Sequence, residues 1–158
     1  MSSVVLDTGV IAESVNLGGE FNRQAKIIFD AINSGSLTAL VNPVTIGELR
    51  YVLWRIYDKL AVKNPDKVSK DFCEYIYYHL GVRILEMPLE LLLEAGSIKR
   101  RYALALSDCF VLAASKLNGC KAVFRHKEDE IKQVLKDLRK EFDLVFLEDY
   151  PSSSATRI

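Results

Sequence analysis

The sequence predicts a single α/β domain built on a parallel β-sheet of about five strands with helices on its faces. Short runs of aliphatic and β-branched residues alternate with longer segments whose apolar residues recur at helical spacing. The length of 158 residues fits one hydrophobic core, and 49% apolar with 27% charged residues is typical of globular proteins. We therefore expect one domain over residues 1–150 and a flexible C-terminal tail over residues 151–158.

The predicted strands are short apolar runs with turn-forming residues near their ends. They are residues 4–6, 37–41, 82–85, 121–124 and 144–147. The first strand ends at Asp7-Thr8-Gly9, and a loop around Gly18-Gly19 follows. Because helical segments separate the strands, we expect a parallel sheet with right-handed crossovers and a ligand crevice beyond the carboxyl ends of the strands.

The predicted helices carry apolar residues three or four positions apart, and glycine, proline or asparagine marks most of their ends. They are residues 21–32, 43–60, 67–80, 88–102, 107–118 and 128–142. Asn42 and Pro43 supply an N-cap and a first helical residue for the second of these helices. Gly35 ends the first, and the pair Asn118-Gly119 ends the fifth.

Charge and cysteine content exclude some classes of protein and favour others. Lys plus Arg and Asp plus Glu both number 21, so the chain lacks the overall basic charge of a protein that grips duplex DNA along its whole surface. The three cysteines, Cys73, Cys109 and Cys120, are scattered, which favours reduced thiols in the cytoplasm. With no secretion signal and no apolar run near the ~20 residues that span a bilayer, we expect a soluble cytoplasmic protein that does not enter membranes.

Three acidic residues stand at special points of the predicted elements. Asp7 follows the first strand, and Glu48 lies in the second turn of the helix after the second strand. Asp108 stands at the start of a helix, directly before the uncharged residues 109–114. Each also has an ordinary interpretation: Asp7 as a turn cap, Glu48 as a solvated side chain near a helix N-terminus, and Asp108 as an N-cap. Ser107 is available as that cap, which leaves the Asp108 carboxylate free in the first turn.

Together these three carboxylates predict a metal site. Because the segments that follow parallel strands meet at one edge of the sheet, Asp7, Glu48 and Asp108 can converge there. Carboxylates held close together repel one another unless a cation neutralises them or one takes up a proton. Oxygen ligands without His or Cys suit Mg²⁺ or Mn²⁺, and hard cations in carboxylate sites usually act on phosphates.

Three segments that contain these acids resemble the signature motifs of the PIN-domain family, which includes the VapC-type toxin ribonucleases. They are residues 4–11 (VVLDTGVI), 43–49 (PVTIGEL) and 106–114 (LSDCFVLAA). The resemblance extends from the first strand to Leu147, and it implies a PIN-like fold and metal-dependent endonucleolytic cleavage of RNA. By position, Asp7, Glu48 and Asp108 match the family's first three metal ligands. Thr8 matches the small hydroxyl residue that follows the first acid.

The chain departs from the family pattern after the fourth predicted strand. The family's fourth acid lies there in a segment resembling Thr-x-Asp, whereas residues 124–129 read FRHKED. His126 thus occupies the acidic position, and Phe124 replaces the hydroxyl residue. Glu128 is a candidate substitute ligand; alternatively, Glu128 and Asp129 simply begin the next helix.

The resemblance also implies RNA as the substrate, an antitoxin protein as a partner and a homodimer as the assembly. Because RNA is an anion, we expect cations along its approach to the site. The candidates for substrate binding are Arg50, Arg125 and Lys127, together with Thr8, and further basic candidates are Arg55 and the run Lys99-Arg100-Arg101. Each basic side chain could instead belong to a solvated helix face.

Two other functions stay open from the sequence. A PIN-like domain that lacks the fourth acid could bind RNA or a protein without cutting it. An aspartyl-phosphate enzyme or receiver would also place Asp7 after the first strand, but phosphatases of that kind resemble Asp-x-Asp-x-Thr, and Gly9 stands where the second carboxylate would be. The chain has neither a P-loop nor a Gly-x-Gly-x-x-Gly motif, so a nucleotide-cofactor function has no support.

Overall fold

A computed structural model describes residues 2–151, which form one parallel sheet flanked by helices. The strands are β1 (Ser2–Leu6), β2 (Leu37–Val41), β3 (Val82–Ile84), β4 (Lys121–Phe124) and β5 (Leu144–Phe146). Every strand pairing in this sheet is parallel, and the strand order is β3-β2-β1-β4-β5. The predicted fold class is therefore confirmed.

Helices connect the strands and differ little from the predicted segments. They are α1 (Thr8–Glu13), α2 (Asn22–Asn33), α3 (Pro43–Lys59), α4 (Pro65–Tyr78), α5 (Leu89–Tyr102), α6 (Leu106–Asn118) and α7 (Asp129–Glu141), with a 3₁₀ turn at Leu147–Asp149. The ends of the predicted helices are displaced by about two residues at most, which is the usual uncertainty of a helix boundary. Helix α1 is an addition, because its six residues are too few to display helical periodicity.

The capping residues agree with the prediction at the start of α3 and the end of α6 and differ at the start of α6. Gly119 is the C-cap of α6 with φ of 60°, a conformation that a residue without Cβ adopts at little cost. The N-cap of α6 is Ala105, so Ser107 lies inside the helix and the predicted serine cap is wrong. Asn42 is the N-cap residue of α3 and Pro43 its first residue, as predicted. The Asn42 side chain makes no capping hydrogen bond; its Nδ2 donates to the carbonyl oxygen of Phe110 in α6 at 3.1 Å.

Each face of the sheet has its own hydrophobic core, because successive strand residues point to opposite faces. Val4 and Leu6 of β1 pack with apolar residues of α1 to α4, and Val5 packs with those of α5 to α7. Burying one such side chain contributes ~1.5–3 kcal/mol. The two cores therefore hold both helix layers firmly against the central strand.

The order of the strands creates a crevice between β1 and β4. From β1 the chain adds β2 and β3 on one side, and it then returns to add β4 and β5 on the other side. The helices that follow β1 and β4 pack on opposite faces, which opens a crevice at the carboxyl ends of these two strands. The first residues beyond those ends are Asp7 and Arg125.

Two sequence predictions lie partly outside what the structure describes. The domain bounds of residues 1–150 remain a prediction. The predicted tail, apart from Pro151, falls outside the described residues. Within residues 2–151, no helix has both the length and the apolar character needed to cross a lipid bilayer.

Candidate active site

A cleft of about 590 Å³ lies at the crevice between β1 and β4. Its walls come from α1 and the residues after it, from α3, from the start of α6, and from the segment 124–128 between β4 and α7. The acidic residues Asp7, Glu48, Asp108 and Glu128 all line this cleft. The structure thus brings together carboxylates that are far apart in the sequence.

Asp7 leaves β1 with extended backbone angles and is the N-cap residue of α1. Its Oδ2 accepts a hydrogen bond from the backbone N–H of Gly9 at 3.0 Å, so Asp7 caps a turn and faces the cleft at the same time. The pKa of Asp7 is raised to about 6, chiefly by burial and further by the charges of Glu48 and Glu128. The hydrogen bonds from the Gly9 and Thr8 N–H groups act in the opposite direction and lower this pKa.

Glu48 projects half-buried from the second turn of α3, the position that the sequence predicted. The hydroxyl of Thr8 donates a hydrogen bond to Glu48 Oε2 at 2.6 Å. Thr8 is itself buried beside Asp7, so this bond holds the Glu48 carboxylate next to the end of β1. The contact makes Thr8 a positioning residue for an acid, whereas direct substrate binding by Thr8 stays a prediction.

Asp108 lies half-buried in the first turn of α6, at the edge of the cleft. Its pKa is raised to about 8, first by burial and then by the charge of Asp7. The charges of Glu128 and Glu48 raise it further. A carboxyl group with this pKa keeps its proton at neutral pH unless a cation takes the proton's place.

The oxygen donors of the cleft fit a hard divalent cation such as Mg²⁺ or Mn²⁺. The raised pKa values of Asp7 and Asp108 indicate that the cationic side chains within residues 2–151 do not neutralise these acids. In their present conformations, however, no three His, Cys, Asp or Glu side chains within the described residues are arranged so that they could bind one metal ion together. The carboxylates would have to turn toward a common point in order to share one ion.

The segment after β4 carries basic residues where the family pattern has its fourth acid. His126 lines the cleft, and its Nδ1 accepts a hydrogen bond from Arg125 Nε at 3.1 Å. Glu128 is the N-cap residue of α7 and Asp129 begins this helix, as one interpretation of the sequence has it. Glu128 is exposed at the cleft, so the interpretation of Glu128 as a substitute ligand also stays open.

The positive side chains that line the cleft are Arg55 and Lys59 of α3 and Arg125. Arg50 is held elsewhere, because its guanidinium donates to Ser69 Oγ at 2.5 Å and pairs with Asp66 at 2.6 Å. These contacts fasten α3 to α4. The predicted substrate contact of Arg50 therefore has no support from its position.

Lys127 is likewise engaged outside the cleft. Its ammonium group pairs with Asp149 and, at 3.3 Å, with Glu148. It also lies 5.1 Å from the centre of the Phe146 ring. These contacts join the segment between β4 and α7 to the end of β5 and the 3₁₀ turn after it. The position of Lys127 therefore does not support substrate binding either.

Sequence reasoning missed Glu13, the last residue of α1. This side chain lines the cleft and is only 2% exposed. Its Oε1 accepts a hydrogen bond from the backbone N–H of Phe21 at 2.8 Å, and its Oε2 lies 3.4 Å from Arg125 Nη1. The available signal was an acid directly after the apolar run of residues 10–12, but only the short helix α1 turns that acid toward Arg125.

Comparisons with known proteins agree with this fold. A family model described as the PIN domain matches residues 4–136, which is most of the chain. No curated protein sequence matches the chain.

Several solved structures are similar to this chain. VapBC2 from Rickettsia felis, bound to a DNA fragment from its promoter, has a TM-score of 0.61 at 9% identity, with 91% of this chain and 98% of that chain covered. Mycobacterium tuberculosis VapC20, described as a sarcin-ricin loop cleaving toxin, has a TM-score of 0.57 at 16% identity, with 74% and 84% covered. A toxin-antitoxin complex from Klebsiella pneumoniae has a TM-score of 0.53 at 16% identity, with 80% and 88% covered. At these identities the similarity is one of fold.

Proposed function

The chain belongs to the PIN domain family, and from that premise we propose that it is a metal-dependent endoribonuclease that hydrolyses RNA phosphodiester bonds. The main support is the convergence of Asp7, Glu48 and Asp108 in one cleft. RNA as the substrate is supported by family membership and by the similarity to VapC20, whose description is a toxin that cleaves the sarcin-ricin loop.

We assign metal binding to Asp7, Glu48 and Asp108, with Glu128 as a weaker candidate and Mg²⁺ or Mn²⁺ as the ion. When bound, such an ion polarises the scissile phosphate and lowers the pKa of a bound water. The Thr8 hydroxyl keeps Glu48 beside the end of β1 through its 2.6 Å hydrogen bond. Hydrolysis by water, with the ribose O3′ as the leaving group, leaves a 5′-phosphate and requires no nucleophilic side chain.

A cleavage assay tests this proposal. The purified protein is incubated with structured and unstructured RNA in Mg²⁺ or Mn²⁺, and the products are separated on denaturing gels. We expect cleavage that EDTA stops and that the variants Asp7→Asn and Asp108→Asn each slow by about 100-fold or more, because each loses a ligand of the ion that stabilises the transition state.

The matched control is Asp66→Asn, which removes an aspartate that pairs with Arg50 between α3 and α4. This variant should cleave RNA at the wild-type rate. Equal cleavage by the wild type, the control and both cleft variants would indicate a contaminating nuclease and would overturn the assignment of the site.

We further propose that the chain is the toxin of a toxin-antitoxin pair, forms a homodimer and acts in the cytoplasm. The similarity to VapBC2 and to the Klebsiella pneumoniae complex supports the antitoxin. Leu89 and Leu93 of α5 are 68% and 63% exposed, and apolar surface of this kind favours a protein interface. Light scattering on the purified chain would test the dimer.

Growth of a host cell provides the test for toxicity. Expression of the wild-type chain should arrest growth, expression of Asp108→Asn should not, and co-expression of the protein encoded beside it should restore growth. Growth arrest by Asp108→Asn equal to that of the wild type would contradict a toxic nuclease.

The second candidate function is a PIN-like domain that binds RNA or a protein without cutting it. Two observations favour it: Arg125 and His126 occupy the segment after β4, and the described acids do not form a ready set of metal ligands. This candidate requires RNA or protein binding in EDTA and no cleavage in Mg²⁺ or Mn²⁺. Metal-dependent cleavage that Asp108→Asn abolishes would exclude it.

A further inference from the structure

We propose that Arg125 binds a phosphate group of the RNA backbone and that Glu13 is the positioning residue that holds the Arg125 guanidinium at the cleft. This inference rests on the proposed function, since RNA is the ligand. It gives the ion pair between Glu13 and Arg125 a role in substrate recognition. The observations that carry it are the position of Arg125, the burial of Glu13 and the free donors of the guanidinium.

Arg125 is the first residue beyond β4. Because β4 pairs with β1, Arg125 lies at the same edge of the sheet as Asp7, the first residue beyond β1. Gly9 lies between the two side chains: a Cβ added to Gly9 would come within 3.1 Å of Arg125 Cβ and 3.1 Å of Asp7 Oδ2. A side chain at position 9 would therefore push Arg125 and Asp7 apart. The backbone thus allows a cation and a candidate metal ligand to approach the same part of the cleft.

Glu13 holds Arg125 from the interior side. A carboxylate that is 2% exposed is costly to bury unless it is paired and hydrogen-bonded. The backbone N–H of Phe21 occupies one of its oxygens, and Arg125 is the cation that faces the other. A Cβ added to Gly19 would lie 2.0 Å from Glu13 Oε1, so the turn before α2 also leaves room for this carboxylate.

The guanidinium of Arg125 keeps unused donors for a ligand. Of its five N–H groups, one on Nε donates to His126 Nδ1 and one on Nη1 faces Glu13 Oε2. Within residues 2–151 these are the hydrogen bonds of this guanidinium, and the side chain is 39% exposed at the cleft. The remaining donors form a fork of the shape that binds two oxygens of a phosphate.

Removing the charge of Glu13 can change RNA affinity in either direction. The direction shows whether Glu13 positions the Arg125 guanidinium or only neutralises its charge. If Glu13 orients the guanidinium, its conversion to glutamine loosens Arg125 and weakens RNA binding. If Glu13 only cancels the charge of Arg125, the same change frees a positive charge and strengthens RNA binding. Glutamine at position 13 retains an oxygen for the Phe21 N–H, so the variant tests the ion pair with little change in shape.

The experiment measures binding of a fluorescein-labelled single-stranded RNA oligonucleotide by anisotropy in EDTA, so that no cleavage occurs. We expect Arg125→Gln to weaken binding about 10-fold, the usual effect of losing a charged hydrogen-bonding pair. The slope of log affinity against log salt should become shallower by about 0.7, as expected when one phosphate contact to a single strand is lost. Glu13→Gln should weaken binding roughly threefold or more.

The double variant shows whether Glu13 acts through Arg125. In the Arg125→Gln background, Glu13→Gln should have no further effect on RNA affinity. The matched control is Arg139→Gln, an arginine of α7 that is 52% exposed and pairs with Asp149. It should leave both the affinity and the salt slope close to those of the wild type.

Each alternative result has a definite meaning. Wild-type affinity in Arg125→Gln, or tighter binding by Glu13→Gln, would overturn this inference and leave the nuclease proposal intact. A wild type that neither binds nor cleaves RNA would overturn both. If Glu13→Gln fails to fold by circular dichroism, Arg125→Lys decides: it keeps the charge and lacks the fork, so we expect weaker binding. Unchanged binding by Arg125→Lys would overturn the oriented contact that Glu13 is proposed to hold.

Discussion

Asp108 in the cleft and Glu141 in a second cluster respond to folding in opposite ways, because folding raises the pKa of Asp108 and lowers that of Glu141. The second cluster, here called the ion cluster, joins α5, α6 and α7 and consists of Glu94, Arg101, Lys116 and Glu141, with the hydroxyl of Tyr102. The pKa of Glu141 is lowered to about 2, chiefly by its hydrogen bond with Arg101 and also by those with Lys116 and Tyr102. In the cleft, the pKa of Asp108 is raised to about 8.

The difference shows what each region contributes. In the ion cluster the protein supplies its own cations, so the charged state of the acid stabilises the fold. In the cleft Asp7 and Asp108 are partly removed from water and also lie near other acids, so their charged states destabilise the fold until a cation from solution binds. Strongly raised pKa values of grouped carboxylates are a feature of functional sites, where stability is commonly sacrificed for activity.

The largest expected effect is a loss of activity together with a gain of stability at Asp108. The variant Asp108→Asn should cleave RNA about 100-fold more slowly, because the candidate metal site loses a ligand. Its melting temperature in EDTA should exceed that of the wild type, because a neutral amide is buried without the cost of burying a charge near Asp7 or of taking up a proton on folding. Calorimetry and a cleavage assay check the two parts. A melting temperature below that of the wild type would remove the contrast with the ion cluster.

The next effect is the pH dependence of the metal-free protein. Asp7 and Asp108 have folded-state pKa values of about 6 and about 8, above the ordinary value of 3.8, so between these values the folded state binds more protons than the unfolded state. Stability must therefore fall as the pH rises, by up to about 5 kcal/mol between pH 5 and pH 8, with Asp108 contributing most of the change. Urea unfolding in EDTA measures it, and Asp108→Asn should flatten most of the curve. A stability that rises over this interval would contradict the account.

The third prediction concerns the ion cluster and has the opposite sign. Because the pKa of Glu141 is lowered from about 4.5 to about 2, its contribution is complete above the unfolded value and disappears as the pH falls toward 2. The side chain is 22% exposed, so we expect Glu141→Gln to cost only about 1–2 kcal/mol at pH 7. RNA cleavage should be unchanged in Glu141→Gln. A large loss of cleavage at full stability would place the ion cluster in the functional machinery.

The smallest effect distinguishes two asparagines. Asn42 links the start of α3 to α6, the helices that carry Glu48 and Asp108, whereas Asn118 donates to Ala114 within α6 at 2.8 Å. Replacing either residue with alanine should cost about 1 kcal/mol. Only Asn42→Ala should also slow cleavage, by a few-fold, because it loosens one wall of the cleft. Equal cleavage by the two variants would show that this link does not position the acids.

The sequence was sufficient for elements whose signal is local. The strand Leu37–Val41 has the predicted bounds, and the helices longer than about ten residues were found because their apolar spacing spans several turns. Helix α1 was missed since a six-residue helix shows no complete period. The serine cap of α6 was wrong because the helix begins one residue before Ser107.

The candidate site was predictable only for residues that follow parallel strands, because the segments after such strands meet at one edge of the sheet. Asp7, Glu48 and Asp108 follow from their places after strands or at helix starts, and the structure puts them in one cleft. The pairing of Glu13 with Arg125 joins residues 112 positions apart, and it depends on α1 and on the turn before α2. No local sequence pattern predicts the pairing of Glu13 with Arg125. The same holds for the contact with Asp66 of α4 that keeps Arg50 away from the cleft.

If three carboxylates jointly hold one divalent ion, calorimetric titration with Mn²⁺ at pH 7 should detect it. Titration in two buffers of different ionisation enthalpy also counts the protons released. We expect Mn²⁺ to bind the wild type and to release a proton. Asp7→Asn, Glu48→Gln and Asp108→Asn should each weaken Mn²⁺ binding by about 10-fold or more, whereas Glu141→Gln should bind Mn²⁺ like the wild type. Equal Mn²⁺ affinity in the wild type and all three cleft variants would contradict joint binding of one ion.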